Sequence, residues 1–224
     1  MLLNSCSNSR YSKNKLFFEG TFLKIEKFIK ITACNPYNTN HCLTKTYAST
    51  ASSFLIAHKG KKSYLITSGH VCHADYGKIK MLPKFRATEV IYGLDMNLKK
   101  HPYRVVIIDH ENDLCLLSSD RMNLKPYKIA SKRPKIGEEI YNIAAPHDIF
   151  DKGMVPLFSG LYSGESHGRF VFSLPAAGGS SGSPVLNRSG EVVGVVSAVT
   201  KGFSNLVISS TLQSIRGIVT HGIP

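Results

Sequence analysis

Short apolar runs separated by glycine, proline and asparagine turns recur along the chain, for example at residues 63–67, 105–108, 114–117 and 192–196. Their composition and spacing are typical of β-strands joined by tight turns. Many short strands of this kind favour closed antiparallel barrels. A chain of 224 residues has the size of a single two-barrel unit of this type. The sequence therefore predicts an all-β fold built from two antiparallel β-barrels.

One glycine-rich loop has the composition of a site for nucleophilic chemistry. Residues 178–185 read Gly-Gly-Ser-Ser-Gly-Ser-Pro-Val. Small residues at every turn position allow a tight loop that presents a hydroxyl and aligns backbone N–H groups, which a nucleophile beside an oxyanion hole requires. Residues 185–197 then read as strand, turn and strand, which places a β-hairpin behind the loop. Ser181 is the first candidate nucleophile.

A serine nucleophile needs a base, and one of the nine histidines has a distinctive setting. The β-rich run at residues 63–67 is interrupted by Ser68-Gly69, and His70 follows directly. A histidine on a glycine turn just past a strand end is well placed to face a cleft. His73 is interpreted as a surface-loop histidine. No histidine pair shows H-E-x-x-H spacing, so no zinc site is predicted. Nucleophilic catalysis by a serine implies neither a metal nor a cofactor.

A histidine base needs a carboxylate that fixes its tautomer. Asp113 lies directly before the apolar run at residues 114–117, at the mouth of a predicted buried strand. Asp109 and Glu111 are interpreted as solvated turn residues. The order His, Asp, Ser along the chain differs from the orders of subtilisin and of the α/β-hydrolases.

Three segments together resemble the trypsin-like, chymotrypsin-fold serine proteases, most closely the HtrA-type and other bacterial or viral branches. Residues 65–71 are similar to the family's L-T-A-x-H-V element, residues 109–117 to D-x-x-x-D-h-A-h-L (h, apolar), and residues 179–184 to G-x-S-G-x-P. Further support comes from residues 51–56 and 193–197, which are similar to the strand before the histidine hairpin and the strand after the nucleophile hairpin.

The resemblance implies a catalytic triad of His70, Asp113 and Ser181. It implies an oxyanion hole formed by the backbone N–H groups of Gly179 and Ser181. The function expected is that of a serine endopeptidase, which hydrolyses peptide bonds of a polypeptide substrate through an acyl-enzyme. A latent or inactive binding module on the same fold is the main alternative. A basic nucleic-acid-binding protein, in which the loop is only a turn, is the less favoured one.

The resemblance also implies a division of the chain around two six-stranded β-barrels and a short C-terminal helix. We expect a disordered or processed extension at residues 1–21 and a first barrel at about 22–119. A connector at 120–135, a second barrel at about 136–208 and a helix at 210–219 follow. No PDZ-sized segment follows the helix, unlike in full-length HtrA proteins.

The family's S1 pocket would be lined by Pro175, six residues before Ser181, and by Ser197, Ala198 and Val199. Pro175 offers no acid for a lysine or arginine side chain, and Val199 stands where many members have glycine. A small or medium apolar P1 residue is therefore expected.

The five cysteines give an odd count, which argues against a complete disulfide framework. Cys34 and Cys42 flank a short loop that they could close, and this pairing stays open. Cys72 does not match the position of the usual vertebrate bridge beside the histidine. Cys115 is interpreted as a small core residue.

Charge and the N-terminal residues leave partners and compartment open. The 28 lysines and arginines against 15 acids give a net charge of +13, compatible with a solvated basic surface or with an acidic partner or anionic surface. Residues 3–6, Leu-Asn-Ser-Cys, resemble the end of a lipoprotein signal, which would lipidate Cys6. With such a signal the protein would be located in the cell envelope or secreted. Without one it would be cytoplasmic or encoded by a phage or virus. No transmembrane span is expected.

Overall fold

The computed structural model describes residues 21–38, 40–200 and 202–224. The predictions that concern residues 1–20, including lipidation of Cys6, lie outside these ranges. The strands and helices are, in chain order, β1 (Phe22–Cys34), β2 (Cys42–Lys59), β3 (Lys62–Ser68), α1 (Gly69–Cys72), β4 (Arg86–Leu94), β5 (Lys100–Asp109), β6 (Leu114–Asp120), β7 (Glu139–Ile143), β8 (Leu157–Ser166), β9 (Arg169–Ser173), β10 (Pro184–Leu186), β11 (Val192–Thr200), β12 (Phe203–Ser209) and α2 (Leu212–Gly222).

The twelve strands form two closed antiparallel barrels, which confirms the predicted fold class. The first has the strand order β1-β2-β3-β6-β5-β4, and the second has the order β10-β11-β12-β9-β8-β7. Closure leaves few free strand edges, so the backbone groups of short strands are satisfied within each barrel. The C-terminal helix α2 follows the last strand, as expected.

Consecutive apolar residues in the central strands pack into two different apolar clusters. Leu65 and Leu117 belong to the core inside the first barrel. Their neighbours Ile66 and Leu116 belong to a separate cluster that includes Val195 of the second barrel. Because successive strand side chains point to opposite faces, one face fills the barrel and the other fills the interface between the barrels. This two-sided burial explains why these strands appear in the sequence as continuous apolar runs.

Helix α2 seals the interface between the barrels. The side chain of Thr211 accepts a hydrogen bond from the backbone N–H of Ser214 and so caps the first turn. Ile215 and Ile218 of the helix join the inter-barrel apolar cluster. No helix among the described residues has the length and hydropathy to span a bilayer.

Two disulfides correct the interpretation of the cysteines. Cys34 and Cys42 are bonded, which closes the loop between β1 and β2. Cys72 and Cys115 are also bonded, with Sγ atoms 2.04 Å apart. Cys115 is fully buried, as expected of a core residue, but it is not a free thiol. The sequence missed this bond because only the pairing of β3 with β6, which sets Thr67 opposite Cys115, brings α1 beside the cysteine.

Removing the Cys72–Cys115 bond is expected to destabilise the protein more than removing the Cys34–Cys42 bond. The first bond closes a loop of 43 residues and the second a loop of 8. The loss of loop-closure entropy gives costs of about 4 and about 2.5 kcal/mol, respectively, for replacing each pair by alanine. Chemical denaturation of the two double variants measures both costs. An equal or reversed order would contradict the entropic account.

Candidate functional site

Helix α1 presents His70 at the end of strand β3. Gly69 permits a close approach here, since a Cβ atom at this position would lie 3.1 Å from Oδ1 of Asp113. The following side chain, His70, is about half exposed. The histidine therefore faces solvent from a rigid strand end, with its backbone held against the loop that carries Asp113.

His70 and Asp113 form a hydrogen-bonded pair. The backbone N–H of His70 donates to Oδ1 of Asp113 at 2.8 Å, and Nδ1 lies 3.1 Å from Oδ1 and 3.0 Å from Oδ2. Burial raises the pKa of Asp113, but the hydrogen bonds from His70 and one from Ser197 outweigh it, so the pKa lies below its usual value. An ionised carboxylate can only accept hydrogen bonds, so Nδ1 carries the proton and Nε2 is left as the basic nitrogen.

The turn before Asp113 is stabilised by side-chain hydrogen bonds. Asp109 accepts hydrogen bonds from the backbone N–H of Asn112 at 3.0 Å and from its side-chain amide at 2.7 Å. The hydroxyl of Ser214, in α2, donates to Oδ1 of Asn112 at 2.7 Å. Asp113 itself has a φ of 50°, a left-handed conformation that aspartate tolerates better than most residues. The predicted solvated turn residue Asp109 therefore shapes the turn.

The loop around Ser181 depends on two glycines. Gly179 and Gly182 have φ angles of 97° and 84°. A Cβ atom at Gly179 would lie 2.3 Å from the carbonyl oxygen of Ala145, and one at Gly182 would lie 2.1 Å from Oγ1 of Thr67. No other residue fits either place without moving the backbone. The neighbouring serines Ser180 and Ser183 are buried.

The peptide groups that carry the predicted oxyanion donors are fixed on their far sides. The carbonyl of Gly178 accepts from the N–H of His147 at 2.6 Å, and the carbonyl of Ser180 accepts from the N–H of Ser183 at 3.0 Å. Because a trans peptide places its C=O and N–H on opposite sides, the N–H groups of Gly179 and Ser181 point the other way. Within the described ranges, neither N–H has a hydrogen-bond acceptor.

Ser52 links the first barrel to this loop, a role that no sequence motif indicated. Its backbone N–H donates to the carbonyl of Ser181 at 2.8 Å. Its hydroxyl donates to the carbonyl of Gly179 at 2.8 Å and accepts from the N–H of Ala145 at 3.2 Å. The side chain is fully buried. These contacts join residues more than ninety positions apart in sequence, so no local pattern could have revealed them.

The predicted triad residues come together, whereas the predicted S1 wall is more scattered. His70 and Ser181 line one cavity of about 280 Å³. Ser197 is buried, contacts Asp113 and lies 3.5 Å from Nη2 of Arg169. The other three wall residues, Pro175, Ala198 and Val199, are exposed and do not line that cavity. In the described part of the chain, no three His, Cys, Asp or Glu side chains form a group able to hold a metal ion.

Comparison with known proteins places this fold and site in a family. The family model described as "Trypsin-like peptidase domain" matches residues 51–195. Two curated relatives, each named a probable periplasmic serine endoprotease DegP-like and from Pseudomonas putida strains W619 and F1, are 31% identical over 157 residues. The match covers 67% of this chain and 29% of each relative. The chain therefore belongs to the trypsin-like peptidase family, and it spans under a third of the length of these relatives.

Two solved structures share the fold. A serine endoprotease from Yersinia pestis superposes with a TM-score of 0.67 and 16% identity, covering 98% of this chain and 68% of the other. The HtrA-type protease AlgW with a tripeptide gives the same TM-score and identity, covering 96% and 65%. At this identity the likeness concerns the fold alone.

Proposed function

We propose that the protein is a serine endopeptidase that cleaves polypeptides through an acyl-enzyme. The observation that carries the proposal is the hydrogen-bonded pair of His70 and Asp113 beside Ser181. Two N–H groups of the Ser181 loop that have no acceptor among the described residues, those of Gly179 and Ser181, add to it. The loop geometry counts against a latent module, since the Gly178 carbonyl is turned toward His147 and not toward the Ser181 N–H.

The proposed reaction has two stages. Oγ of Ser181 attacks the scissile carbonyl carbon while Nε2 of His70 takes its proton, and Asp113 stabilises the imidazolium that forms. The N–H groups of Gly179 and Ser181 hold the oxyanion, and each such donor contributes about 2.7–4 kcal/mol in comparable enzymes. The C–N bond then breaks as His70 protonates the leaving amine. Water repeats the sequence on the ester and releases the second product.

The proposed P1 preference is a small or medium apolar residue. The resemblance supports this preference, because Pro175 offers no acid to a basic side chain and Val199 stands where many members of the family have glycine. Cleavage of a peptide library by the wild-type protein, read by mass spectrometry, tests both the activity and this preference. Cleavage that a fluorophosphonate does not inhibit would contradict the serine mechanism, and a strong preference for arginine would contradict the P1 assignment alone.

We propose further that the protein works in an oxidising compartment. Two disulfides are typical of exported proteins, and the curated relatives carry "periplasmic" in their names. Alkylation of protein taken directly from its host would leave Cys34, Cys42, Cys72 and Cys115 unmodified. Full alkylation of these four residues would place the protein in a reducing compartment.

Replacing Ser52 by alanine is expected to lower kcat roughly tenfold, because the loop loses a hydrogen bond to the Gly179 carbonyl worth about 1 kcal/mol and the N–H of Ala145 loses its acceptor. Ser53→Ala is the matched control: this serine is also fully buried, but its hydroxyl contacts the Leu23 carbonyl inside the first barrel. We expect Ser53→Ala to lower the free energy of unfolding and leave kcat close to wild type. Equal kcat losses in the two variants would show that Ser52 acts only through stability.

A further inference from the structure

The hairpin of β1 and β2 extends well beyond strand β3 of the first barrel, while β4 pairs with β1 as far as Thr32. The two strands pair over their whole length, from Phe22 opposite Phe54 to Cys34 opposite Cys42. Strand β3 pairs with β2 only from Phe54 onward. Residues 27–34 and 42–51 are called the ribbon below. Its tip is closed by the Cys34–Cys42 disulfide.

Along its outer edge in the ribbon, strand β2 carries backbone N–H and C=O groups that point away from β1. The backbone N–H of Ser52 points to that edge, since it donates to the Ser181 carbonyl. Backbone groups alternate between the two edges of a strand, so those of Thr50, Ala48, Thr46 and Thr44 point the same way. Among the described residues, no strand pairs with this part of the edge. The free edge therefore begins at the nucleophile loop and runs outward to the tip.

One face of the ribbon is concave along the same path. Ile29 and Ser49 line the cavity of about 280 Å³ that also contains His70 and Ser181. Further out, Ile31 and Tyr47 line a larger cavity of about 810 Å³. The outer cavity is completed by Leu43 and Lys45 of the ribbon and by Ile79 and Leu82 opposite them. Ile29 and Tyr47 are cross-strand partners, so the two cavities adjoin on a single face, called the ribbon groove below.

The chemistry of the ribbon groove favours an extended peptide with an apolar anchor. Leu43 and Tyr47 are 63% and 49% exposed on a free strand edge, an arrangement that attracts a further strand. Among the residues that the structure describes, no aspartate or glutamate lines either cavity. Lys27 is already paired with Glu89, at 2.8 Å, whereas Lys45 stands exposed beside the outer cavity. An acidic side chain near an apolar one would suit this surface.

We propose that the ribbon groove binds the leaving-group side of the polypeptide substrate as an added antiparallel strand, with an apolar side chain in the outer cavity. This inference rests on the proposed function. Strand β11 holds the Ser181 loop from one barrel, where the Val196 carbonyl accepts from the N–H of Gly182, and β2 holds it from the other through the N–H of Ser52. A chain that passes the nucleophile from the predicted S1 wall on β11 therefore continues along β2. A paired strand advances one residue for each residue of β2, and Tyr47 and Leu43 of the outer cavity lie five and nine residues from Ser52. The outer cavity is therefore reached about four to eight residues beyond the scissile bond. Backbone pairing supplies affinity and the cavity supplies selectivity.

Two internally quenched peptides with the same residues up to the third position after the scissile bond test the inference. One ends there, and the other continues for seven residues that include a phenylalanine followed by a glutamate. The longer peptide is expected to raise kcat/KM about tenfold, the effect of burying one apolar side chain. Two further versions of the longer peptide carry N-methyl groups at the odd or at the even positions of the extension. One version should lose the gain in kcat/KM and the other should keep it, because only alternate N–H groups face β2.

Variants of the ribbon locate the effect. The ratio compared is kcat/KM for the longer peptide divided by kcat/KM for the shorter one. Leu43→Asp is expected to bring this ratio close to one, and Lys45→Ala to lower it in part. Lys30→Ala is the matched control, because Lys30 is an exposed ribbon lysine on the opposite face, across from Thr46. It should keep the wild-type ratio. A ratio near one in the wild type overturns the inference and leaves the proposed function intact.

Binding measured without turnover separates the two proposals. Fluorescence anisotropy of the labelled longer peptide with the Ser181→Ala protein should show binding that Leu43→Asp weakens about tenfold. If no peptide is cleaved but this binding is seen, the result contradicts the proposed endopeptidase activity and supports peptide binding in the ribbon groove. A concentration-dependent dimer in sedimentation, dissociated by Leu43→Asp, would show that a second copy of the chain occupies the ribbon and would contradict the inference.

Discussion

Replacing His70 by alanine is expected to lower kcat by roughly 10⁶, the loss seen when the base of a comparable triad is removed. The physical reason is that a serine hydroxyl is a weak nucleophile unless a base takes its proton as the bond to carbon forms. The same nitrogen must later protonate the leaving amine, so both bond changes lose their proton carrier. Single-turnover hydrolysis of a peptide ester and a peptide amide measures the two losses separately.

His110→Ala is the control for this experiment. His110 is an exposed histidine three residues before Asp113, and its ring packs edge-to-face on His73, 5.5 Å away between centroids. We expect this variant to keep kcat within about twofold of wild type, as for most surface substitutions. A His70→Ala protein with more than a tenth of wild-type kcat would show that another group acts as the base.

Replacing Asp113 by asparagine is expected to lower kcat by roughly 10⁴, as in a comparable triad, with little change in KM. The amide presents an N–H toward Nδ1 of His70, which then accepts that hydrogen bond, and the proton moves to Nε2. The nitrogen that must act as base is thereby blocked. Glu111→Gln is the matched control, because Glu111 is an exposed acid of the same turn. Similar losses in both variants would contradict the assignment of Asp113.

The lowered pKa of Asp113 also predicts a difference in acid stability. Its pKa is lower in the folded protein than in the unfolded chain, where it is about 3.9. The ionised Asp113 carboxylate therefore contributes stability above about pH 4, and this contribution is lost as the pH falls through the folded-state pKa. Asp113→Asn lacks this contribution, so its free energy of unfolding should fall less steeply below about pH 4. Parallel profiles for the two proteins would contradict the stabilising role of the His70–Asp113 contact.

The sequence predicted those parts of the site that have local signals. His70 is marked by a glycine turn at a strand end, Asp113 by the start of a buried strand, and Ser181 by its glycine-rich loop. The two glycines of that loop are explained by the left-handed backbone at Gly179 and Gly182. Short apolar runs between turn residues were enough to predict the barrels, because burial on both faces of a strand leaves a continuous apolar pattern in the sequence.

Features that depend on contacts between distant residues could not be predicted in this way. Ser52 binds the Gly179 carbonyl across 127 positions, and Cys72 meets Cys115 only after β3 pairs with β6. The free edge of β2 is likewise a property of the sheet, since its residues have the composition of an ordinary paired strand. Arg169, which reaches Ser197 from β9, had no sequence signal either.

The central claim is that Ser181 is the nucleophile, and phosphonylation mapping tests it most directly. Wild-type protein is treated with a fluorophosphonate, digested, and analysed by mass spectrometry for the modified residue. We expect a single modified serine, Ser181, and no labelling of the Ser181→Ala protein. Ser183→Ala is the control and should keep the label, because the Ser183 hydroxyl is buried and accepts from the side-chain amide of Asn142 at 2.8 Å. Labelling that persists in Ser181→Ala, or its absence from the wild type, would contradict the account.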